Sequence, residues 1–268
     1  MLTVEKKNLI LSMLQEKPVV TVPELSQALE TSEVTVRKIL NELDEQGLLR
    51  RTRGGAVNIS TIREFEEKEK EKKNTGEKRA IAKKAYEYID PTDTVFIDAG
   101  STTLELVKLI KNGGKRDIVV ITNALNIAFE LLEADDIELV FIGGSVRHKI
   151  MSCVGGFAEN TINSLCMDKA FIGCNSITVE TGITTPNLYE AQVKQCVLRA
   201  ARETILISDS TKFGHTSMAR ISPIKNITRL ITDSRIPQQL RSQIEGTGVD
   251  LVVVNPEENN ETRKDNGF

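Results

Sequence analysis

Apolar residues recur at helical spacing in three short stretches of the first 57 residues. The first stretch, residues 4–16, is followed by Lys-Pro, a pair that ends a helix. Thr21 precedes the second stretch and has Glu24 three residues further on, which is the spacing of a capping box. Ser32 is the expected N-cap of the third stretch. The pattern therefore predicts a small helical domain over residues 1–57.

The third predicted helix divides into a buried face and an exposed face. Val36, Leu40 and Leu43 lie at i, i+4 and i+7 and should face inward, whereas the opposite face is short, polar and partly cationic. A helical bundle with a solvated charged face would also fit this pattern. The Arg-rich Gly-Gly turn that follows the helix favours a winged helix-turn-helix that binds the major groove. The predicted DNA-contacting residues are Ser32, Val34, Thr35, Arg37, Lys38, Asn41, Arg51, Arg53 and Gly54.

Beyond this domain the hydrophobic pattern stops and then resumes in another form. Residues 58–75 are a mixed-charge run with hardly any apolar residue, so we expect a linker, either an exposed helix or a flexible tether. From residue 76 to 254, short β-branched apolar runs alternate with helical patterns, which indicates a mostly parallel sheet covered on both faces. The predicted strands are 94–97, 118–121, 138–142, 170–172, 204–207, 229–231 and 250–253, with helices near 104–110, 124–132, 189–201 and 237–244. The tail, residues 255–268, is expected to be disordered.

Polar and charged residues follow several of the predicted strands, where α/β sheets bind ligands. The clearest stretch is Asp98 to Thr103, in which a glycine and three hydroxyl residues lead directly into a helix. Such a helix start is an anion site, although an ordinary turn capped by Ser101 or Thr102 would look the same. Cationic residues at neighbouring strand ends favour the anion site. The predicted ligand-binding residues are Asp98, Gly100, Ser101, Thr102, Thr103, Asn123, Gly144, Arg147, Asp209 and Lys212.

Other interpretations of these positions stay open at the level of sequence. Asn123 either hydrogen-bonds a ligand or caps the next helix, and Gly144 belongs to a Gly-Gly pair that is also typical of a turn. Asp209 can orient Lys212, bind a ligand hydroxyl or cap the chain locally. Glu190 and Lys194 form an i, i+4 pair, which is more typical of a helix surface than of a site.

Charge is nearly balanced along the whole chain and within the first domain. There are 35 Lys and Arg residues against 38 Asp and Glu residues, and the first 57 residues contain eight of each class. A long-range basic field is therefore not expected, and positive charge is local to the third helix and the wing. This distribution favours site-specific DNA binding over general coating of nucleic acid.

Cysteine usage and hydropathy give the expected compartment. The four cysteines form no C-x-x-C motif and lie in apolar or mixed surroundings, so we expect free buried thiols in a reducing cytosol. With two histidines in the chain, we predict no metal site, and we predict no cofactor. No apolar run approaches 18 residues, so we expect neither a signal peptide nor a membrane span. The predicted location is the cytoplasm.

The segment SEVTVRKILNELDEQGLLRRTRGGA resembles the winged helix-turn-helix of the DeoR family of bacterial transcriptional regulators. The family pattern is S-x-x-T-I-R-R-D-L, then a leucine-rich tail, a glycine and R-x-H-G-G-A. This chain departs from it at Val36, at Lys38-Ile39 and at Arg53, where the family has Ile, Arg-Asp and His. Further along, DAGSTT, ITN, GGSVR, DKAFIG and DSTKFG resemble the DeoR-type C-terminal sensor domain, so that the resemblance covers about residues 4–254.

The resemblance implies a sensor domain similar in fold to ribose-5-phosphate isomerase, with a phosphorylated sugar as effector. Together with the residues above, it predicts a homo-oligomeric regulator, dimer or tetramer, that binds operator double-stranded DNA and represses a carbohydrate-utilisation operon. One alternative is an isomerase-like enzyme with a DNA-binding appendage, for which Asp98, Asp209 and Glu190 are candidate bases. Because fold likeness does not carry chemistry, we predict no catalytic residue. A second alternative is a constitutive DNA-binding protein whose α/β domain only dimerises.

Overall fold

The structure is a computed structural model of the 268-residue chain. It describes residues 3–16, 19–46, 48–52, 54–57 and 70–256. Four parts of the sequence-based predictions lie outside the described residues. They are the Lys17-Pro18 pair after the first helix, Arg53 in the wing, residues 58–69 of the linker, and residues 257–268 of the tail.

The N-terminal domain combines three helices with a small antiparallel sheet in the described residues. The helices are α1 (Thr3–Glu16), α2 (Val22–Ala28) and α3 (Glu33–Glu45), and the strands are β1 (Val19–Thr21), β2 (Arg50–Arg51) and β3 (Gly55–Val57). The strand order is β1-β3-β2. The predicted capping box is confirmed, since the Thr21 side chain accepts from Glu24 N while the Glu24 carboxylate accepts from Thr21 N at 2.8 Å. Ser32 caps α3 by accepting from Thr35 N at 3.3 Å, also as predicted.

Burial on α3 follows its helical period. Val36, Leu40 and Leu43 are buried as predicted, and Ile39 is buried beside them. Strand β1 was not predicted, because Thr21 is both its last residue and the N-cap of α2. The wing pairs with β1 through Gly55, where a Cβ atom would lie 2.0 Å from the Val20 carbonyl oxygen. Gly55 of the Gly-Gly turn therefore also allows β3 to pack closely against β1.

The C-terminal domain is built on a parallel sheet, which confirms the predicted fold class. Seven strands form this sheet in the described part of the chain, and each matches a predicted strand. They are β4 (Thr94–Ile97), β5 (Ile118–Thr122), β6 (Ile137–Phe141), β9 (Met167–Ile172), β12 (Ala201–Ile207), β14 (Arg229–Asp233) and β15 (Asp250–Val254). Their order is β15-β14-β12-β9-β4-β5-β6, and all neighbouring pairs are parallel.

Helices cover both faces of the sheet. Those described are α4 (Thr75–Glu87), α5 (Ser101–Asn112), α6 (Leu125–Leu131), α7 (Gly156–Asn163), α8 (Leu188–Ala200) and α9 (Gln238–Glu245). One buried cluster contains apolar residues of α4, α5 and α6, and a second contains those of α7, α8 and α9. Helices α4 and α7 were not predicted. In α4 the buried residues are mostly alanines between charged side chains, which blurs the apolar period.

Short antiparallel strands decorate the parallel sheet at positions that the sequence pattern does not mark. A hairpin is formed by β7 (Ser145–Arg147) and β8 (Ser152–Val154), and a separate sheet by β10 (Ser176–Thr178), β11 (Gly182–Thr185) and β13 (Ala219–Ser222). These strands are three or four residues long and rich in hydroxyl side chains. Period-two alternation is not detectable over so few residues.

Candidate functional site

The outward face of α3 carries the residues predicted to contact DNA. Lys38 and Asn41 are exposed, and Val34 keeps 77% of its surface accessible, which is high for an apolar side chain. Thr35 and Arg37 lie half-buried on the flanks, and Arg37 pairs with Glu33 at 3.3 Å. The helix therefore presents a short, polar and partly cationic surface of the kind that fits a major groove.

A hydrogen bond joins the wing to this face. The Arg51 guanidinium on β2 donates to the Asn41 side-chain oxygen on α3. Gly54 is exposed at the tip of the turn, and its carbonyl accepts from Val22 N at 2.8 Å. Arg51 and Asn41 were predicted as separate contacts, but the structure places them in one cluster that couples wing and helix.

A cleft opens at the carboxyl ends of β4, β9 and β12, above the start of α5. Six predicted ligand-binding residues line it: Gly100, Ser101, Thr102, Thr103, Asp209 and Lys212. They share its wall with residues that were not predicted, namely Lys70, Asn175, Glu190, Lys194 and Ser208. Asp98 lies behind this wall and contacts Lys194.

The other three predicted residues, Asn123, Gly144 and Arg147, lie at or beside the β7–β8 hairpin. Among the described residues, they are not part of the lining of the cleft. The Asn123 amide donates to Ser152 Oγ at 2.9 Å and to the Cys153 carbonyl at 2.7 Å, so it anchors the hairpin. Gly144 has a φ of 159°, and a Cβ atom there would lie 2.7 Å from the Val154 carbonyl oxygen. Arg147 is half-buried on β7.

The start of α5 leaves three backbone N–H groups without a partner in the described residues. The first helical hydrogen bond runs from Leu104 N to the Gly100 carbonyl at 2.9 Å, so the N–H groups of residues 101–103 precede it. Thr103 is fully buried, and its hydroxyl lies 2.7 Å from the carbonyl oxygens of both Asp98 and Gly100. Thr103 thus holds the turn in place, and the N-terminal end of a twelve-residue helix faces the cleft.

Beside this helix start lies a buried ammonium group. Lys194 Nζ donates to Asp98 Oδ2 at 2.5 Å and to the Gly173 carbonyl at 2.8 Å, and it lies 3.4 Å from Glu190 Oε1. Lys194 is 2% exposed and Glu190 is 8% exposed. The interpretation of this pair as a surface pair is therefore wrong, because α8 packs the face that carries both residues against the sheet.

Burial and charge compete at this cluster. Burial disfavours the charged form of Lys194, yet the carboxylates of Asp98 and Glu190 hold the pKa of Lys194 above its ordinary value. Burial likewise opposes ionisation of Glu190, but Lys194 holds the pKa of Glu190 below its ordinary value. Both groups are accordingly charged at neutral pH. A signal for Lys194 was present in the sequence, since Ala191 and Val197 lie three residues to either side of it on the buried face of α8.

Asp209 is held by local contacts. Its Oδ1 atom accepts from Thr211 N at 3.1 Å, from the Thr211 hydroxyl and from the Asn74 amide at 3.2 Å. Asp209 therefore caps the turn locally and also binds Asn74 of a distant segment, while its role as a ligand-binding residue stays a prediction. Lys212 follows on the same short 3-10 turn, Ser210–Lys212, and reaches the cleft.

The cleft combines cations, hydrogen-bond donors and hydroxyl groups without a metal-ligating set. No group of His, Cys, Asp and Glu in the described residues could hold a metal ion. Cys174 lines the cleft, and burial raises the pKa of its thiol to about 11, so the thiol is protonated at neutral pH. All four cysteines are free. Cys166 departs from the expected burial and is exposed in the turn before β9.

A winged helix-turn-helix joined to an α/β domain with an open polar cleft defines a class, that of DNA-binding transcriptional regulators with a sensor domain. The sequence profile of the DeoR-like helix-turn-helix domain matches residues 7–62, and that of the DeoR C-terminal sensor domain matches residues 73–234. The chain belongs to the DeoR family of transcriptional regulators.

Several named relatives match most of the chain. The HTH-type transcriptional regulator GlpR of Haloferax volcanii is 35% identical over 94% of this chain and 98% of its own length. The putative aga operon transcriptional repressor of Escherichia coli O157:H7 is 33% identical over 94% of each chain. The lactose phosphotransferase system repressor of Lactococcus lactis is 36% identical over 86% of this chain and 91% of its own.

Solved structures similar to this chain include ribose 5-phosphate isomerase A from Methanocaldococcus jannaschii. That match has a TM-score of 0.38 and 16% identity, and it covers 51% of this chain and 53% of the isomerase.

Within the described residues, no helix has the length and apolar character that crossing a bilayer requires.

Proposed function

We propose that this protein represses a carbohydrate-utilisation operon and that a phosphorylated sugar bound in the cleft changes its affinity for operator DNA. The observation that carries the proposal is the start of α5, where residues 101–103 precede the first helical hydrogen bond and line a cleft that Lys212 also lines. A phosphate bears about −1.5 to −2 charges at neutral pH and suits a helix N-terminus with nearby cations. Asn175 and Ser208 also line this cleft, and their polar side chains suit contacts with sugar hydroxyls.

The names of the relatives support the choice of sugar. Two of them are called repressors of the aga operon and of the lactose phosphotransferase system. Those names describe the relatives, and the extension to this chain rests on the anion-binding geometry of its own cleft. We also propose a cytoplasmic location, a homo-oligomeric state, and a division of the chain into residues 1–57, 58–75, 76–254 and 255–268, in which residues 70–75 of the linker contact the C-terminal domain.

The contacts of the carboxylates at the cleft favour a protein that binds the sugar phosphate over an enzyme that converts it. A general base for isomerisation needs a carboxylate that can reach the substrate proton. Asp98 accepts from Lys194 and Gly173 N, Asp209 accepts from Asn74 and Thr211, and Glu190 Oε2 accepts from the Thr185 hydroxyl at 2.8 Å. Each candidate base is thus already engaged in holding the cleft together.

The test is a thermal-shift screen of the full chain against sugar phosphates and the matching free sugars. A ligand at 100 times its Kd should stabilise the protein by about 2.7 kcal/mol. Phosphorylated sugars are expected to shift the melting temperature, and the free sugars are not. Equal shifts from both members of a pair would contradict the anion site, and conversion of the sugar phosphate to an isomer would favour the enzyme instead.

A further inference from the structure

The chain that enters the C-terminal domain forms part of the cleft wall. Lys70 lines the cleft together with the start of α5 and Lys212, although it lies in the stretch that the sequence assigned to the linker. Residues 70–74 connect directly to α4. A ligand in the cleft therefore faces both the sensor sheet and the segment that leads back toward the DNA-binding domain.

A buried lysine on α4 fixes the backbone of this segment. Lys78 is 3% exposed, and its Nζ donates to the Lys73 carbonyl at 2.6 Å and to the Lys70 carbonyl. A buried ammonium is costly unless it is hydrogen-bonded, so Lys78 strongly favours the conformation that presents these two carbonyl groups. Lys73 N also donates to the Lys70 carbonyl at 3.1 Å, which closes the turn.

The next residue ties the segment to another wall of the cleft. Asn74 has a φ of 52°, in the left-handed region that Asn tolerates better than most residues. In that conformation its amide donates to Asp209 Oδ1 at 3.2 Å. Asp209 is 1% exposed and precedes the turn that carries Lys212. The segment thus contacts the cleft through the Lys70 side chain and the Asn74 amide.

The charge of Lys70 already acts on the interior of the cleft. Burial opposes ionisation of Glu190, and after Lys194 the next contribution that lowers the pKa of Glu190 comes from Lys70. Lys194 itself is committed to Asp98 and Glu190. Lys70 and Lys212 line the cleft together with the start of α5, so both bring positive charge to the place where an anion would bind.

We propose that Lys70 is a direct ligand of the effector's anionic group and that residues 70–74 carry effector occupancy toward the DNA-binding domain. This inference rests on the proposed function, because it requires an anionic effector in the cleft. An anion that contacts Lys70 binds the docked segment more tightly than a detached one, and such differential affinity is what shifts a conformational equilibrium. By reciprocity, operator binding and effector binding then change each other's affinity by the same factor.

The experiment uses the full chain and three variants. Lys70→Ala removes the proposed ligand, and Asn74→Gly removes the amide while it keeps access to the left-handed backbone. Lys72→Ala is the matched control, since Lys72 is an exposed lysine of the same segment that does not line the cleft. The probes are inorganic phosphate, ribose 5-phosphate and glucose 6-phosphate, measured by calorimetry. Operator affinity is measured on a duplex selected in vitro with the wild-type chain.

Lys70→Ala is expected to weaken binding of the sugar phosphates by about tenfold or more, the effect of losing a charged hydrogen bond. Lys72→Ala should stay within about twofold of wild type. Asn74→Gly should bind the probe within about threefold but lose most of the effector-induced change in operator affinity. That change is about 5- to 150-fold in a typical coupled system.

The outcomes separate the two proposals. If the wild-type chain binds a probe and Lys70→Ala binds it equally well, Lys70 is not a ligand and this inference fails while the proposed function stands. If Asn74→Gly responds to the effector as the wild type does, the segment is not the connecting element. If none of the three probes binds the wild-type chain, the proposed function fails and takes the inference with it.

Discussion

The charge balance of the cleft depends on single residues. The Lys194 ammonium balances the negative charge of two buried carboxylates, those of Asp98 and Glu190. We predict that Lys194→Met destabilises the C-terminal domain by about 3–5 kcal/mol, because it leaves Asp98 and Glu190 buried without their cation. Urea unfolding of the full chain measures this loss. Lys225→Met replaces an exposed lysine of the same domain and should be nearly neutral.

A double variant distinguishes charge compensation from packing at Lys194. Adding Asp98→Asn to Lys194→Met removes one of the uncompensated carboxylates and should recover part of the lost stability. The loss of unfolding free energy in the double variant is compared with the summed losses of the two single variants. If the double variant loses more than that sum, the packing of the Lys194 side chain matters more than its charge.

On the DNA-binding domain, Lys38 and Arg51 are predicted to act on different parts of the duplex. Lys38→Ala should cost about 1–3 kcal/mol and relax the preference at one base position, because Lys38 lies on the outward face of α3. Arg51→Ala should lower the slope of log affinity against log salt by about one unit. Titration of the operator at several salt concentrations measures both effects.

The bond between Arg51 and Asn41 adds a condition to this prediction. Because Arg51 also donates to Asn41, the two residues should be non-additive in a double-mutant cycle for operator binding. Unchanged affinity and salt slope in Lys38→Ala and Arg51→Ala would mean that this face does not dock on DNA.

Residue roles differed in how far the sequence could predict them. The anion-binding turn at Asp98 to Thr103 was predictable because its signal is local: a strand, a glycine, hydroxyl residues and a helix. Lys194 and Lys70 were not predicted, since they reach the cleft from α8 and from the charged segment before α4, and their proximity arises from tertiary packing. Arg147 was predicted as a counter-charge at a neighbouring strand end, whereas it lies on the unpredicted β7–β8 hairpin.

At the scale of elements, the wing depends on a close approach of two backbones. We predict that Gly55→Ala destabilises the N-terminal domain by about 1–3 kcal/mol or more and weakens operator binding, because its Cβ atom would lie 2.0 Å from the Val20 carbonyl oxygen. Gly54→Ala is the matched control, since nothing lies within 4 Å of the added atom. Thermal unfolding and operator titration of both variants give the measurement. Equal stability of the two would show that β1 and β3 do not pair as described.

Element prediction succeeded where the period was long enough to detect. The strands of the parallel sheet are four to seven residues long, and each contains a run of two to four consecutive apolar residues that marks it in the sequence. The short strands, α4 and α7 were missed, because strands of three or four residues and the mostly alanine face of α4 give almost no signal. Their pairing is decided by contacts with the rest of the domain.

At the scale of the whole molecule, the C-terminal domain exposes an apolar surface beside an edge of the sheet. Phe129 and Leu132 are 66% and 65% exposed on and just after α6, and Phe141 is 40% exposed on β6. Strand β6 ends the strand order, so its outer backbone groups pair with no other described strand. An exposed edge with apolar side chains is a surface that a second copy of the chain can cover.

We predict that the full chain is at least a dimer and that this surface contributes to association. One winged helix contacts few base pairs, and a two-fold dimer doubles the contact on repeated half-sites. The double variant Phe129→Asp with Leu132→Asp should shift sedimentation toward the monomer, while Met218→Asp, at another exposed apolar residue, should not. A wild-type chain that sediments as a monomer, alone and with DNA, would contradict the prediction. Dissociation by Met218→Asp instead would place the contact elsewhere.

The contacts of Lys78 have a consequence for proteolysis. Trypsin cleaves after lysine only where the backbone can extend through the protease, and the carbonyl groups of Lys70 and Lys73 are hydrogen-bonded to the Lys78 ammonium. Cleavage at these two bonds therefore requires the segment to detach first, so its rate follows the fraction of molecules in which the segment is open. An anion that holds Lys70 in the cleft should slow cutting there and leave cutting at distant lysines unchanged. Digestion patterns would thus record effector occupancy without any operator DNA in the assay.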